Sequence, residues 1–193
     1  AGNSELLELV ITQFQLALRL VANFHPPTLL DVGCGQGYYV KCFQRRLLDA
    51  QGIDRNDCDF EAQPLPSEED RFDYVFSKST LEHVWDTEHI LSETLRVLKP
   101  DGLAVFLVPE FRSGDFYDDP THVKPFTAKS LAKAFQFAGF RDVHCERFCS
   151  LTFSWEHTIL SKLIIPLARL IPGKPNNFVR FAKETILLCW GSK

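Results

Sequence analysis

A short apolar run, Thr28-Leu29-Leu30-Asp31-Val32, leads directly into Gly33-Cys34-Gly35-Gln36-Gly37 and then into a helical stretch from Tyr38 to Leu48. This junction constrains the fold more than any other feature of the chain. A buried strand must end there, and glycines at alternate positions permit backbone angles that other residues avoid, with no Cβ to obstruct a ligand. A second short strand, Ala50 to Ile53, runs into Asp54. Further strands are expected at Phe72–Ser77, Leu103–Val108, Val143–Cys149 and Ile186–Trp190. Helices are expected at Thr87–Leu98, stopped by Lys99-Pro100-Asp101-Gly102, and at Thr127–Ala138, with Thr127 as N-cap and Gly139 at its end. An amphipathic helix from Glu5 to Val21, ended by His25-Pro26-Pro27, precedes them all. Strands alternating with helices predict an α/β fold, a doubly wound and mostly parallel sheet covered on both faces.

The length of 193 residues suits one domain with a core of its own. With 45% apolar and 24% charged residues, the chain is neither a disordered tail nor a fibre. No apolar run reaches about 18 residues, so a membrane-spanning helix is not expected. The net charge of −4 argues against nucleic-acid partners, but it is unevenly divided. Residues 1–150 hold 15 basic and 23 acidic side chains, and residues 151–193 hold 6 and 2. Six cysteines (Cys34, Cys42, Cys58, Cys145, Cys149 and Cys189) show no paired spacing. They read as small buried hydrophobes, and no metal site is expected. Without a signal-peptide pattern, a reducing, cytoplasmic location is expected.

Ligands of open α/β sheets bind beyond the carboxyl ends of the strands, where strand order reverses. The glycine spacing is G-x-G-x-G rather than the G-x-G-x-x-G of dinucleotide enzymes, which disfavours a nicotinamide oxidoreductase. Asp54 follows Gly33 by 21 residues, at the end of the second strand, where a carboxylate can accept from ribose hydroxyls. With these features in place, residues 29–37 resemble the first motif of class I S-adenosylmethionine-dependent methyltransferases. The likeness continues through Phe72–Ser77, Leu81-Glu82-His83-Val84 and Leu95–Gly102, covering residues 28 to 149 in order. The segment Asp119–Thr127 is similar to one in small-molecule methyltransferases found with polysaccharide-assembly enzymes.

The resemblance implies a Rossmann-like, seven-stranded methyltransferase fold in a single domain. Residues 1–27 would form the N-terminal helix, 28–149 the cofactor-binding core, and 150–193 a helical addition with the last strand. It implies S-adenosylmethionine as cofactor, with Gly33, Gly35 and Gly37 beneath its methionine part and Asp31 fixing that loop. Asp54 would bind the ribose, Asp59 and Phe60 the adenine, and Ser77 would border cofactor and acceptor. Only four residues separate Asp54 from Asp59, too few for the usual helix between the second and third strands.

The implied reaction moves a methyl group to an oxygen or nitrogen of a small molecule, such as a sugar or a lipid-linked glycan. A non-catalytic protein that only binds the cofactor is the alternative. A hydroxyl acceptor needs a proton acceptor within reach, and His122 and His83 are the candidates, with Asp119, Asp118 and Glu110 behind them. Either histidine could instead make only local turn bonds. Residues 160–183 place Leu160, Leu163, Ile164, Leu167, Leu170 and Ile171 at helical spacing, with Lys162, Arg169, Lys174, Arg180 and Lys183 among or after them. This reads either as a contact for a membrane surface or lipid-linked acceptor, or as a helical cover or dimer contact.

Overall fold

The computed structural model describes residues 26–46, 48–111, 114–149 and 185–193. The expected helix over residues 5–21 and the basic apolar stretch at 160–183 lie outside the described residues. Strand β1 (Thr28–Val32) is flanked by β2 (Asp49–Ile53) and β3 (Phe72–Lys78), each parallel to it. Strand β4 (Leu98–Pro109) runs parallel to β3, and β6 (Thr185–Ser192) runs antiparallel to β4. With β5 (Arg141–Cys149) at the far edge, the order is β2-β1-β3-β4-β6-β5. Ser192 Oγ donates to the Arg141 carbonyl, so the end of β6 lies beside the start of β5.

The described residues form a sheet of six strands, not the seven expected. No strand or helix forms anywhere between Ile53 and Phe72, because the chain passes directly from β2 to β3. That crossover is held by side chains instead. Arg96 donates to the Ser67 and Leu65 carbonyls, Glu93 accepts from the Leu65 amide at 2.8 Å, and His89 Nε2 lies 3.0 Å from the Gln63 carbonyl.

The helices are α1 (Tyr38–Gln44), α2 (Thr87–Val97), α3 (Gly114–Asp118) and α4 (Ala128–Phe137). Helix α1 stops four residues before the expected end. Asp86 caps α2 by accepting from the His89 amide, and Thr127 caps α4 in a reciprocal pair with Ser130. Strand β4 starts earlier than expected, since Leu98 already pairs with Phe72. The turn read at Lys99–Gly102 becomes an irregularity within that strand, with Asp101 in the left-handed region at φ 63°.

Neighbouring strand positions face opposite sides, and both sides are covered. Leu30, Val32 and Val75 join Ile90, Leu91 and Val97 of α2 and Leu131 and Phe135 of α4 in one cluster. On the other face Phe76 meets Phe43 of α1, with ring centres 5.1 Å apart. A seven-residue helix is not stable in isolation, so α1 depends on this packing. A fully buried ring contributes about 2–3 kcal/mol, enough to hold it. No described helix is long and apolar enough to cross a membrane.

At the amino end of the sheet, Asp73 Oδ2 accepts from the Thr28 amide, the Thr28 hydroxyl and Lys99 Nζ at 2.9, 2.7 and 2.9 Å. Burial raises the Asp73 pKa, but Lys99 and the two Thr28 donors outweigh it and hold the group below its ordinary 3.8. A lowered carboxyl pKa stabilises the fold above the unfolded-state value and is lost as pH falls through the folded-state value. Asp73→Asn should therefore lower urea stability by about 1 kcal/mol at pH 7. The gap to the unmodified chain should close as pH drops below about 4.

Candidate functional site

Strand β1 sits between β2 and β3, so the chain leaves β1 toward one neighbour and enters the other from the opposite side. A crevice opens at such a point, beyond the carboxyl ends of the strands. Here it is a cleft of about 850 Å³ lined by Gly33, Gly35, Asp54, Arg55, Asp59, Phe60, His83, Asp119 and Thr121, among others.

The floor is built by the glycine turn. The Gly33 and Cys34 amides both donate to the Ile53 carbonyl, tying the turn to the end of β2. Gly33 has φ 79°, and a Cβ there would stand 1.9 Å from Thr80 Oγ1, so no other residue fits. Gly35 and Gly37 also have positive φ. The Gly35 amide donates to Asp54 Oδ2 at 2.8 Å, so this carboxylate holds the turn as well as facing the cleft. Asp59 and Phe60 stand in the cleft wall. Ser77, expected to border the cofactor and acceptor, is 1% exposed, lies outside the cleft lining and donates to the Val32 carbonyl at 2.8 Å. Asp31 is 1% exposed, and its Oδ2 has no hydrogen-bond partner. Burial, with the Asp54 charge adding, pushes its pKa up to about 7 against the pull of Lys78.

The other wall follows β3. A 3₁₀ turn, Leu81–His83, turns Glu82 inward, where it is 0% exposed and neither carboxylate oxygen has a hydrogen-bond partner. Burial raises its pKa to about 7; the Lys78 charge opposes this and Asp119 adds to it. Burial in turn lowers the pKa of Lys78, while Glu82 and Asp31 support its charge. The Glu82 carbonyl accepts from the Val123 and Lys124 amides, bringing the segment after α3 against the turn. His122 is thereby placed with Nε2 3.9 Å from Glu82 Oε1 and 3.9 Å from Asp119 Oδ2. The His122 and His83 ring centres are 4.7 Å apart.

Hydrogen bonds assign both tautomers. His122 Nδ1 lies 2.8 Å from the Phe116 carbonyl, so Nδ1 donates and Nε2 keeps its lone pair. The Thr121 hydroxyl gives its proton to Asp119 Oδ1 at 2.6 Å and must accept from His83 Nδ1 at 3.0 Å. His83 therefore also carries its proton on Nδ1 and leaves Nε2 bare. The two hydrogen bonds from Thr121 lower the Asp119 pKa. Of the sequence candidates, His83, His122 and Asp119 thus converge. Glu110 instead pairs with Arg147 and lies outside the cleft lining. Glu82 is the residue that sequence reading passed over, although it stands beside His83 directly after a strand.

Residues 10–145 match the family model described as "Methyltransferase domain". The chain belongs to the class I methyltransferase family. A similar curated relative, a probable S-adenosylmethionine-dependent methyltransferase of Mycolicibacterium smegmatis, is 27% identical over 134 residues, 58% of this chain and 51% of that one. A ubiquinone biosynthesis O-methyltransferase of Bradyrhizobium sp. is 30% identical over 95 residues, 40% of this chain and 38% of that one. The chain spans about half, or less, of the length of the curated relatives it matches. A solved S-adenosylmethionine-dependent methyltransferase from Archaeoglobus fulgidus shares the fold, with a TM-score of 0.60 at 20% identity over 97% of this chain and 94% of that one.

S-adenosylmethionine is named as the cofactor of the probable methyltransferase relative from Mycolicibacterium smegmatis. The site's residues fit it: an unpartnered buried carboxylate, a turn whose three glycines all take positive φ, and polar groups along the cleft.

The Asp31 shift has a defined sign. Between about pH 4 and 7 the folded chain holds a proton that the unfolded chain has lost, so stability falls as pH rises through that window. Urea midpoints of the ligand-free chain, taken from pH 4.5 to 8, should decline toward pH 7 and then level. In Asp31→Asn that decline should be smaller; equal slopes would show that Asp31 titrates normally.

Proposed function

We propose that this chain transfers a methyl group from S-adenosylmethionine to an oxygen of a small molecule, with a sugar or lipid-linked glycan hydroxyl as the preferred acceptor. The observation that carries this reading is the buried Glu82 carboxylate facing the bare Nε2 of His122, next to His83 and Asp119, which line the cleft. A hydroxyl must lose a proton to react well, and this wall supplies proton-accepting atoms. A neutral amine would not need them, which favours oxygen over nitrogen. The name of the Bradyrhizobium relative, an O-methyltransferase, points the same way.

When bound, the cofactor supplies an already activated methyl group on a sulfonium sulfur. The chain's part is to hold and orient. Asp31 would face the cationic end of the cofactor, Asp54 its ribose hydroxyls, and Asp59 and Phe60 its adenine. Positioning of this kind is worth up to roughly 7–11 kcal/mol of barrier. On the acceptor side, His122 Nε2 is free to take up a proton, and Glu82 and Asp119 would stabilise the charge that results.

His122→Ala should lower turnover by about 100-fold or more while leaving the affinity for S-adenosylhomocysteine unchanged. Calorimetry reads the affinity, and mass spectrometry of small-molecule extract incubated with labelled cofactor reads turnover. Loss of cofactor affinity in the unmodified chain would sink the proposal. Binding without any labelled product would support the cofactor-binding alternative. A lipid-linked acceptor would be met by the basic apolar residues 160–183. Co-sedimentation with anionic vesicles should then weaken with salt. Binding indifferent to salt, or none, would remove that surface from the proposal.

A further inference from the structure

We propose that Glu82, His83 and His122 form a binding site for a divalent first-row transition-metal ion at the acceptor end of the cleft, where the ion would hold and polarise an acceptor hydroxyl. The proposal rests on the methyltransferase reading for its purpose, but the site itself stands on geometry. One donor atom from each of the three side chains lies within 4.8 Å of the other two. Two imidazoles and one carboxylate are a donor set that suits zinc, iron, cobalt or manganese better than calcium.

Three features distinguish this trio from a chance cluster. The Glu82 side chain is 1% exposed and both of its oxygens lack a hydrogen-bond partner, a costly state for a buried carboxylate unless a cation completes it. Both histidines donate through Nδ1 to fixed acceptors, the Phe116 carbonyl and the Thr121 hydroxyl, and so keep Nε2 unprotonated. Metal-binding histidines are oriented in this way, with the second nitrogen donating to a carbonyl, a carboxylate or a group bonded to one. The Thr121 hydroxyl passes its own proton to Asp119, so the relay from His83 ends on a carboxylate.

Donors around a cation at about 2.1 Å stand roughly 3–3.5 Å apart. The widest pair of the trio, up to 4.8 Å apart, therefore needs to close by about 1.3–1.8 Å. Of the trio, His83 lines the cleft, together with Asp119 and Thr121, so an ion held there would be reached from the cleft on the His83 side. A hydroxyl bound there becomes more acidic. Its O–H bond breaks, the electron pair stays on the oxygen against the cation, and the proton passes to water in the open cleft. The ion thus takes over the role that His122 Nε2 would otherwise fill as proton acceptor. Asp119 is a positioning residue, holding His83 through the Thr121 hydroxyl.

The test is a cobalt titration of the full chain after dialysis against EDTA, followed by visible absorbance. One equivalent of CoCl2 should develop d–d bands. Glu82→Gln and His122→Ala should each weaken binding by at least about 10-fold. His89→Ala, on α2 and outside the trio, should bind cobalt as the unmodified chain does. Calorimetry with S-adenosylhomocysteine on the same preparations checks that each variant is folded. Absence of cobalt bands at millimolar concentration, or unchanged affinity in both Glu82→Gln and His122→Ala, would overturn the site. If S-adenosylhomocysteine binds and cobalt does not, the cation site alone falls. Cobalt binding without S-adenosylhomocysteine binding would keep the site and overturn the methyltransferase reading.

Discussion

Two hydroxyls converge on one carbonyl at the end of β1. Ser77 Oγ donates to the Val32 oxygen at 2.8 Å, and Thr80 Oγ1 stands 3.3 Å from it. This junction fixes the end of β1 against the end of β3 and the turn that follows. It also explains the first glycine, because Thr80 occupies the space where a Cβ of residue 33 would lie. With that contact made, the glycine turn is directed toward Ile53 on one side, and the turn carrying Glu82 and His83 is directed toward the cleft on the other. Both walls of the site are thus referred to a single backbone oxygen.

Buried charge is the second constraint. Asp31 and Glu82 are both removed from water, and Lys78 is the cation that acts electrostatically on both. Neither carboxylate is fully compensated, since burial dominates each shift. Both buried carboxylates stand next to residues that line the cleft, Asp31 beside the glycine turn and Glu82 beside His83. Folding energetics would favour replacing them with apolar residues. Their presence is therefore best understood through ligands.

The strands and the glycine turn were legible in the sequence, because buried strands and special backbone angles leave local marks. Helix α4 was equally readable, since Thr127 and Gly139 punctuate it. The short link after Asp54 left no room for a helix between β2 and β3, and residues 54–71 form none; the seventh strand was implied by family likeness alone, and the described residues form six. The role of Ser77 was implied by family likeness; its buried hydroxyl is engaged by the Val32 carbonyl, a contact that nothing local in the sequence announces. Glu82 escaped notice for a different reason. Nothing local distinguishes a buried carboxylate from a solvated one, and its partner His122 lies far along the chain. Only the docking of residues 123 and 124 on the Glu82 carbonyl brings the two together.

The crossover from Asp54 to Arg71 contains no helix or strand, yet it supplies Asp59 and Phe60 to the cleft wall. Its backbone forms turns of its own, with the Ala62 and Gln63 amides donating to the Asp59 carbonyl, and is fastened to α2 through Glu93, Arg96 and His89. Glu61 extends the attachment by accepting from the Trp85 and Asp86 amides just before that helix. Cys58, Phe60 and Leu65 of this segment are buried in the core cluster, so the cleft wall is anchored by its apolar side chains in the core and by its polar groups on α2. The cleft wall therefore takes its position from α2, and a change on that helix would reach the cleft without touching it.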